Sequence, residues 1–252
     1  MLPLSVAAAP VPNWLYRLRR LFRAGTIPFD GFWLAGYGHG VPKDMVHRIA
    51  RGDYENPERQ AAKAVLRPGD RVLEIGGCMG VVSLTAARIV GAGNVVVFEP
   101  NPAAASVARK NFEQNGMPIR LDNRAVGPEA GRTELAIGGS SWLGASIGGA
   151  FEDGQKISVD VAAIADIVEE LRPTVLVMDA EGFETAILPA CPLAGLRALI
   201  VEFHEAPGAP ERMEDLRRLL RDAGYVRDEA LSVAGDGVST EVWMSGQQRS
   251  GR

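Results

Sequence analysis

The stretch "VLEIGGCMG" at residues 72–80 joins a short apolar run to a glycine-rich turn. The apolar residues before Gly76 are typical of a buried strand, and residues 81–90, "VVSLTAARIV", continue in a helical pattern. In open α/β sheets, ligands bind at the carboxyl ends of parallel strands, where such turns lie. Glycine has no Cβ, so the backbone amides of the turn can approach a ligand closely. The stretch therefore predicts an α/β fold with a nucleotide site at this turn.

The same alternation of strand and helix patterns continues along the chain. Further strand-like runs are "NVVVFE", "IRLDNRAVG", "TVLVMD" and "ALIVEFH", and helical patterns follow most of them. This order predicts a doubly wound, mostly parallel, Rossmann-like sheet with helices on both faces. The segment "GYVRDEALSVAGDGVSTEVWMSG" has two strand patterns around a Gly/Asp turn, which predicts a C-terminal antiparallel hairpin.

We predict an N-terminal helical and irregular extension over residues 1–51, one domain over residues 52–246 and a tail at 247–252. In the extension, "NWLYRLRRLFRAG" has the pattern of a basic amphipathic helix. Such a helix can pack on its own domain, pair with a second copy in a homodimer, or lie on a membrane. The following "IPFDGFWLAGYGHGVPKD" predicts irregular covering structure. Residues 137–154, rich in glycine and serine, predict a lid or substrate loop.

Composition restricts the class of protein. The 252 residues are 46% hydrophobic and 23% charged, a mixture typical of globular domains. The net charge of −4 argues against a nucleic-acid partner. Cys78 and Cys191 are the only cysteines, too few for a disulfide framework or a zinc ligand set. No apolar run approaches the roughly 20 residues that a transmembrane helix needs, and we expect a cytoplasmic protein.

Two acidic residues indicate which nucleotide binds. The dinucleotide pattern G-x-G-x-x-G would need a glycine at position 75, where Ile75 stands. Glu74 suits a cationic sulfonium or amino group better than a pyrophosphate. Glu99 ends the next strand and can accept hydrogen bonds from both ribose hydroxyls. Together the two acids favour S-adenosylmethionine, with an NAD(P)-dependent oxidoreductase and a non-catalytic adenosine-ligand-binding interaction module as alternatives.

Several motifs in order resemble those of the FkbM-type methyltransferases. They are "VLEIGGCMGVVSL", "VVVFEPNP", "NRAVG", "VMDAEGFE" and "VEFH", spread over roughly residues 52–205, and "DAEGFE" matches the family pattern D-x-E-G-x-E. The resemblance implies a class I fold with a seven-stranded sheet and S-adenosyl-L-methionine as cofactor. It also implies O-methylation of a hydroxyl on a sugar or other small-molecule natural product. Glu74 stands where the family has Asp, and Gly77-Cys78 stand in place of Ala-Asn.

The resemblance also implies which residues bind the cofactor. The glycines would shape the turn around the methionine portion, Glu99 would bind the ribose, and the end of the third strand would border adenine. The predicted cofactor-binding residues are Glu74, Gly76, Gly77, Cys78, Gly80, Glu99, Pro100, Asn123, Arg124, Ala125 and Asp179. For Asn123 the alternative is a turn residue that satisfies local backbone groups.

Methyl transfer from a sulfonium requires alignment of the acceptor and removal of its proton. We predict His204 as the general base and Asp179 as the residue that orients the acceptor or the cofactor's amino group. The alternative for His204 is a buried histidine bonded to a backbone carbonyl, and Glu184 can simply favour a helix dipole. A divalent metal at Asp179, Glu202 or His204 is chemically conceivable, but the spacing does not demand one, and we predict none.

Overall fold

The computed structural model describes residues 11–21, 24–137, 146–147, 155–204, 210–235 and 237–246. The helices are α1 (Asn13–Leu21), α2 (Lys43–Arg51), α3 (Asn56–Val65), α4 (Val81–Val90), α5 (Pro102–Gln114), α6 (Ile164–Leu171), α7 (Glu184–Ala190) and α8 (Pro210–Asp222). The first strands are β1 (Thr26–Phe29), β2 (Phe32–Ala35), β3 (Val72–Ile75), β4 (Val95–Phe98), β5 (Arg120–Asp122), β6 (Ala125–Gly127) and β7 (Gly131–Ile137). The later strands are β8 (Ser146–Ile147), β9 (Gln155–Ala163), β10 (Val175–Asp179), β11 (Ala198–His204), β12 (Tyr225–Arg227), β13 (Val233–Ala234) and β14 (Val238–Ser245).

The central sheet has the strand order β12-β14-β11-β10-β3-β4-β5, and β13 pairs with β14. Strands β5, β4, β3, β10 and β11 run parallel, whereas β14 is antiparallel to its neighbours β11 and β12. This confirms the predicted doubly wound α/β fold. The chain builds outward from β3 to β5 and then returns to β10 on the other side of β3. The switch in strand order therefore lies between β3 and β10, where α/β sheets bind their ligands.

The two faces of the sheet carry separate hydrophobic cores. Along β10, Val175 and Val177 pack with α3, α4 and α5, whereas Leu176 and Met178 pack with α6, α7 and α8. Side chains of a strand alternate between the two faces, so a strand covered on both sides is apolar throughout. This explains why "TVLVMD" and "ALIVEFH" are continuous apolar runs.

The N-terminal segment is more regular than predicted. Residues 27–44, predicted to be irregular, contain the antiparallel hairpin of β1 and β2 and the start of α2. Asp30 and Gly31 form the hairpin turn with φ values of 50° and 78°. A turn with positive φ at both central residues is the one that Asp-Gly favours, because it matches the twist of the strands. Ile27 and Leu34 point from the hairpin into the core and are fully buried.

The prediction of one strand over "IRLDNRAVG" is wrong, because this run is divided between two sheets. Strand β5 belongs to the central sheet, whereas β6 joins a small sheet of order β6-β9-β7-β8. The unpredicted strands β7 and β9 form a long antiparallel pair from Gly131↔Val161 to Ile137↔Gln155. Beyond Ile137, and apart from residues 146–147, the predicted lid at 137–154 lies outside the described residues. The lid and the domain boundaries at 51 and 246 stay predictions.

No helix in the described part of the chain is long and apolar enough to cross a membrane.

Candidate active site

A cleft opens at the switch point between β3 and β10. Its walls come from the ends of β3, β4, β10 and β11, from the segment that enters α3, and from the small sheet. Six carboxylates line the cleft: Glu55, Glu58, Glu99, Asp179, Glu181 and Glu202. Arg48 and His204 are the basic residues of this lining. The cleft is therefore strongly acidic, although the protein as a whole carries a net charge of only −4.

The glycines of the turn are required by tight packing. A Cβ on Gly76 would lie 1.7 Å from the backbone oxygen of Asp179, and a Cβ on Gly80 would lie 2.3 Å from the ring of Phe112. Both glycines also have positive φ, 83° and 76°, a backbone conformation that is strained for residues with a side chain. Gly76 lines the cleft, whereas Gly80 sits at the start of α4 and allows that helix to approach α5. The predicted turn is confirmed as a structure, but packing against its neighbours accounts for the glycines as much as ligand approach does.

Glu74 and Gly77 lie beneath the turn and not in the cleft lining. The Glu74 carboxylate accepts a hydrogen bond from the Ser83 hydroxyl at 2.6 Å. Burial, together with the charge of Glu99, raises the pKa of Glu74 to about 8 despite that hydrogen bond. A Cβ on Gly77 would lie 2.2 Å from Val97 Cγ1, so this glycine is needed where the turn crosses β4. Contact of Glu74 and Gly77 with the cofactor stays a prediction.

Glu99 is held rigidly at the tip of β4. Its Oε2 accepts the backbone N–H of Cys78 and its Oε1 accepts the backbone N–H of Asn101, both at 2.7 Å. Burial raises the pKa of Glu99 to about 7, although both N–H groups lower it. Cys78 has φ 43°, and its sulfur accepts a hydrogen bond from the Tyr54 hydroxyl at 3.2 Å. The strained Cys78 backbone thus aims its N–H at the predicted ribose-binding carboxylate.

The predicted adenine border is only partly present in the cleft. Ala125 and Pro100 line it, together with apolar side chains that offer a surface for a flat base: Ile75, Phe98, Val126, Leu135, Phe183 and Ile187. Asn123 donates its side-chain N–H to the Glu99 backbone oxygen at 2.6 Å, so it satisfies a backbone group at the end of the neighbouring strand and not one in its own turn. Arg124 is exposed and forms an ion pair with Asp122 at 2.7 Å. Neither side chain belongs to the described lining.

His204 lies among three carboxylates. Its Nδ1 lies 3.1 Å from Glu184 Oε1, and its Nε2 lies 3.3 Å from Glu181 Oε2 and 3.7 Å from Asp179 Oδ1. Burial lowers the pKa of His204, but the Glu184 hydrogen bond and the surrounding negative charges outweigh burial and raise it above 6.5. The partner of Nδ1 is a carboxylate, so the alternative of a backbone carbonyl partner is wrong.

Glu184 does more than favour a helix dipole. Its side chain is fully buried, and Oε1 also accepts the backbone N–H groups of Ala180 at 2.9 Å and of Gly182 at 3.2 Å. The same carboxylate therefore holds the turn after β10 and orients the His204 ring. The D-x-E-G-x-E spacing places all three acids around one histidine.

Asp179 and Glu202 are register partners on the adjacent parallel strands β10 and β11. Burial and the neighbouring negative charges raise the pKa of Asp179 well above its usual range. Burial and the charge of Glu58 raise the pKa of Glu202 to about 7, although His204 and a hydrogen bond with Asp179 lower it. The Oδ1 atom of Asp179 is buried and has no hydrogen-bond partner among the described residues. This oxygen is chemically able to accept a hydrogen bond from a group that enters the cleft.

Asp179, Glu181 and His204 also converge closely enough to hold a cation. One ligand atom from each lies within 4.8 Å of the others, the only such group of His, Cys, Asp and Glu found in the part of the chain that the structure describes. Carboxylate oxygens and an imidazole nitrogen are suitable ligands for several divalent metals. The prediction of a metal-free site therefore needs a direct test.

The sequence did not indicate one wall of the cleft, which is formed by residues that precede β3 in the chain. Arg48 on α2, Tyr54, and the acids Glu55 and Glu58 at the start of α3 all line the cleft. Burial raises the pKa of Glu55 to about 8. These residues stand in a segment with no recognisable motif, and only the folding of α3 against β11 and β14 brings them to the site. Two acids at positions 55 and 58, well before the glycine stretch at 72–80, therefore gave no usable signal.

Comparison with known proteins identifies the family. A model of the methyltransferase FkbM domain matches residues 74–227, more than half of the chain. The ribosomal protein L11 methyltransferase of Pelotomaculum thermopropionicum is 44% identical over 75 residues, which are 29% of this chain and 24% of that protein. The match thus spans about a quarter of that relative's length.

Solved structures include similar folds at low sequence identity. The precorrin-6y C5,15-methyltransferase of Geobacter metallireducens is 12% identical, with 81% of this chain and 92% of that chain covered and a TM-score of 0.48. An O-methyltransferase of Bacillus cereus in complex with SAH is 15% identical, with 76% and 81% covered and a TM-score of 0.45. On the family match and the site built above, this chain belongs to the FkbM methyltransferases, a family that uses S-adenosylmethionine.

Proposed function

We propose that the chain O-methylates a hydroxyl of a small molecule or sugar, with His204 as the general base. The observation that carries the proposal is the position of His204. Its Nε2 faces the acids Asp179 and Glu181 in the same cleft that Glu99 lines, at the carboxyl end of β11. Glu184 on Nδ1 favours the tautomer that carries its lone pair on Nε2, and the nearby carboxylates of Glu181 and Asp179 would stabilise the proton that Nε2 accepts.

The residues of the cleft fit S-adenosylmethionine. Glu99 has both oxygens pre-oriented by backbone N–H groups, and its remaining lone pairs can accept hydrogen bonds from ribose hydroxyls. The apolar lining around Ala125 suits adenine, and the acidic lining suits a cofactor whose sulfonium and amino groups are cationic. When bound, S-adenosylmethionine supplies a methyl group on an already activated leaving group.

The protein itself would align the acceptor and remove its proton. Asp179 Oδ1 has no hydrogen-bond partner among the described residues and can accept a hydrogen bond from the acceptor or from the cofactor's amino group, which would orient either one. His204 Nε2 takes the proton as the acceptor oxygen is methylated. The raised pKa of His204 makes it a stronger base than free imidazole, but it must lose its own proton first.

The charges of the cleft also bear on the acceptor. Six carboxylates and one arginine line it. Burial raises the pKa of Glu55, Glu99, Asp179 and Glu202, which reduces this negative charge near pH 7. A single arginine still offers little to a phosphate-rich acceptor such as a nucleic acid, so we propose a neutral or cationic small molecule. The L11 methyltransferase relative makes a protein acceptor the alternative to test.

A product screen tests the proposal. The protein is incubated with methyl-labelled S-adenosylmethionine and pooled hydroxylated metabolites, and in separate reactions with ribosomal protein or RNA. The Glu99→Ala variant, whose cofactor binding should be weakened, serves as the control. We expect label in a small molecule at an oxygen. Label only in protein or RNA would contradict the proposed acceptor, and calorimetric binding of NAD without binding of S-adenosylhomocysteine would contradict the cofactor.

A further inference from the structure

Helix α1 exposes an apolar stripe that the catalytic site does not use. Trp14, Leu18 and Leu21 are 63%, 41% and 73% exposed, and they account for three of the five large exposed hydrophobic residues in the part of the chain described here. Their spacing of four and three residues places them on one face of the helix. Clustered apolar exposure of this kind marks a contact surface more often than scattered residues do.

The opposite side of α1 is already occupied. Tyr16 packs against the main core, and Arg19 Nη1 donates to the Ala50 carbonyl of α2 at 3.1 Å. The helix is therefore seated on α2 by its inner side. The helix could not simply rotate to bury its apolar outer stripe in the core, because the rotation would break these contacts.

The charge around the stripe identifies its partner. Residues 1–29 contain four arginines, at 17, 19, 20 and 23, and no acidic residue, although the whole chain has a net charge of −4. Arg17 is exposed beside Leu18. Basic side chains next to an exposed tryptophan and leucines are the composition of a helix that lies in the interface of an anionic bilayer.

From this stripe and its arginines we infer that α1 docks the protein on the surface of an anionic phospholipid membrane. Trp14, Leu18 and Leu21 would enter the headgroup–acyl boundary, and Arg17 would contact lipid phosphates. A symmetric pairing of two copies through this face would bring Arg17 of each helix close together, and that repulsion disfavours a homodimer here. A nucleic acid would satisfy the arginines but would leave the apolar stripe in water.

Vesicle co-sedimentation tests this inference with the full chain. The vesicles contain either phosphatidylcholine alone or phosphatidylcholine and phosphatidylglycerol in equal parts. We expect binding to the anionic vesicles, weakened by high salt. Leu18→Asp should lower the partition coefficient roughly tenfold or more, since a buried leucine contributes about 1.5–3 kcal/mol. Arg17→Ala should lower it about fivefold, from about 1 kcal/mol for each basic residue near the surface.

Val226→Asp is the matched control, because Val226 is also 41% exposed but lies on β12. It should bind vesicles like the unchanged protein, and all three variants should keep their thermal unfolding midpoint and bind S-adenosylhomocysteine normally. Equal binding to both kinds of vesicle, or to neither, would overturn the inference. So would a Leu18→Asp variant that still binds anionic vesicles. A protein that is dimeric without lipid and becomes monomeric with Leu18→Asp would show instead that a second copy covers the stripe.

Discussion

Replacing Glu99 with glutamine should weaken cofactor binding by a predictable amount. Both carboxylate oxygens of Glu99 accept backbone N–H groups, from Cys78 and Asn101, and the same oxygens are proposed to bind the ribose. Glutamine keeps one acceptor oxygen but places an NH2 group opposite a backbone N–H. Loss of a hydrogen bond to a charged group costs about 1.5–3 kcal/mol, so the dissociation constant for S-adenosylhomocysteine should rise about 10- to 150-fold.

Isothermal calorimetry with S-adenosylhomocysteine measures this change without knowledge of the acceptor. Glu169→Gln, which removes an exposed acid from α6, is the control and should bind like the unchanged protein. Because the pKa of Glu99 is raised to about 7, affinity of the unchanged protein should also fall as pH drops below about 7, and this dependence should disappear in Glu99→Gln. A folded Glu99→Gln protein with unchanged affinity and the same pH dependence would refute the assigned role of Glu99.

Four further predictions concern the proton, the buried acids and a metal ion. His204→Gln should lower the methyl-transfer rate by roughly 10²- to 10⁴-fold with little change in cofactor affinity. Glu184→Gln should move the acidic limb of the pH–rate profile to lower pH, since the charge of Glu184 raises the pKa of His204. An acidic limb at unchanged pH would show that Glu184 does not affect the pKa of the general base. Buried Glu74 and Glu99 have pKa values raised to about 8 and about 7, so the folded protein binds their protons more tightly than the unfolded chain. Without cofactor, the free energy of unfolding should therefore decline by a few kcal/mol between about pH 5 and pH 8, and a denaturation series that shows a rise would contradict this assignment. Chelation with EDTA should leave the rate unchanged, whereas lost activity restored by Mn²⁺ or Mg²⁺ would make Asp179 and His204 cation ligands.

The central fold was predictable because its signals are local. The apolar strands, the glycine turn and the acids at strand ends each depend on a few adjacent residues, and the family resemblance orders them. The Asp30-Gly31 turn was an equally local signal that predicts a hairpin, but the aromatic and glycine-rich context obscured it. The break at Asn123 was harder to foresee, because a strand pattern does not say which of two sheets its halves will join.

The site was predictable only on the side built from motifs. Glu99, Asp179 and His204 end strands of the parallel sheet, so their proximity follows from topology. Glu55 and Glu58 reach the cleft through the packing of α3, a long-range contact that no spacing reveals. The role of Glu184 was not predictable from the sequence either. An acid in the first turn of a helix is ordinarily explained by the helix dipole, and only the structure shows its contact with His204.

The close passage of Gly76 over Asp179 has a kinetic consequence. With no Cβ at position 76, the turn that is predicted to bind the cofactor rests directly on the carbonyl of Asp179, which we propose orients the acceptor. Any adjustment of the turn when cofactor binds is passed to Asp179 without an intervening side chain that could absorb it. We therefore expect the acceptor pocket to be completed only after the cofactor has bound. Initial-rate and product-inhibition patterns should accordingly show ordered addition, with S-adenosylmethionine first and the acceptor second.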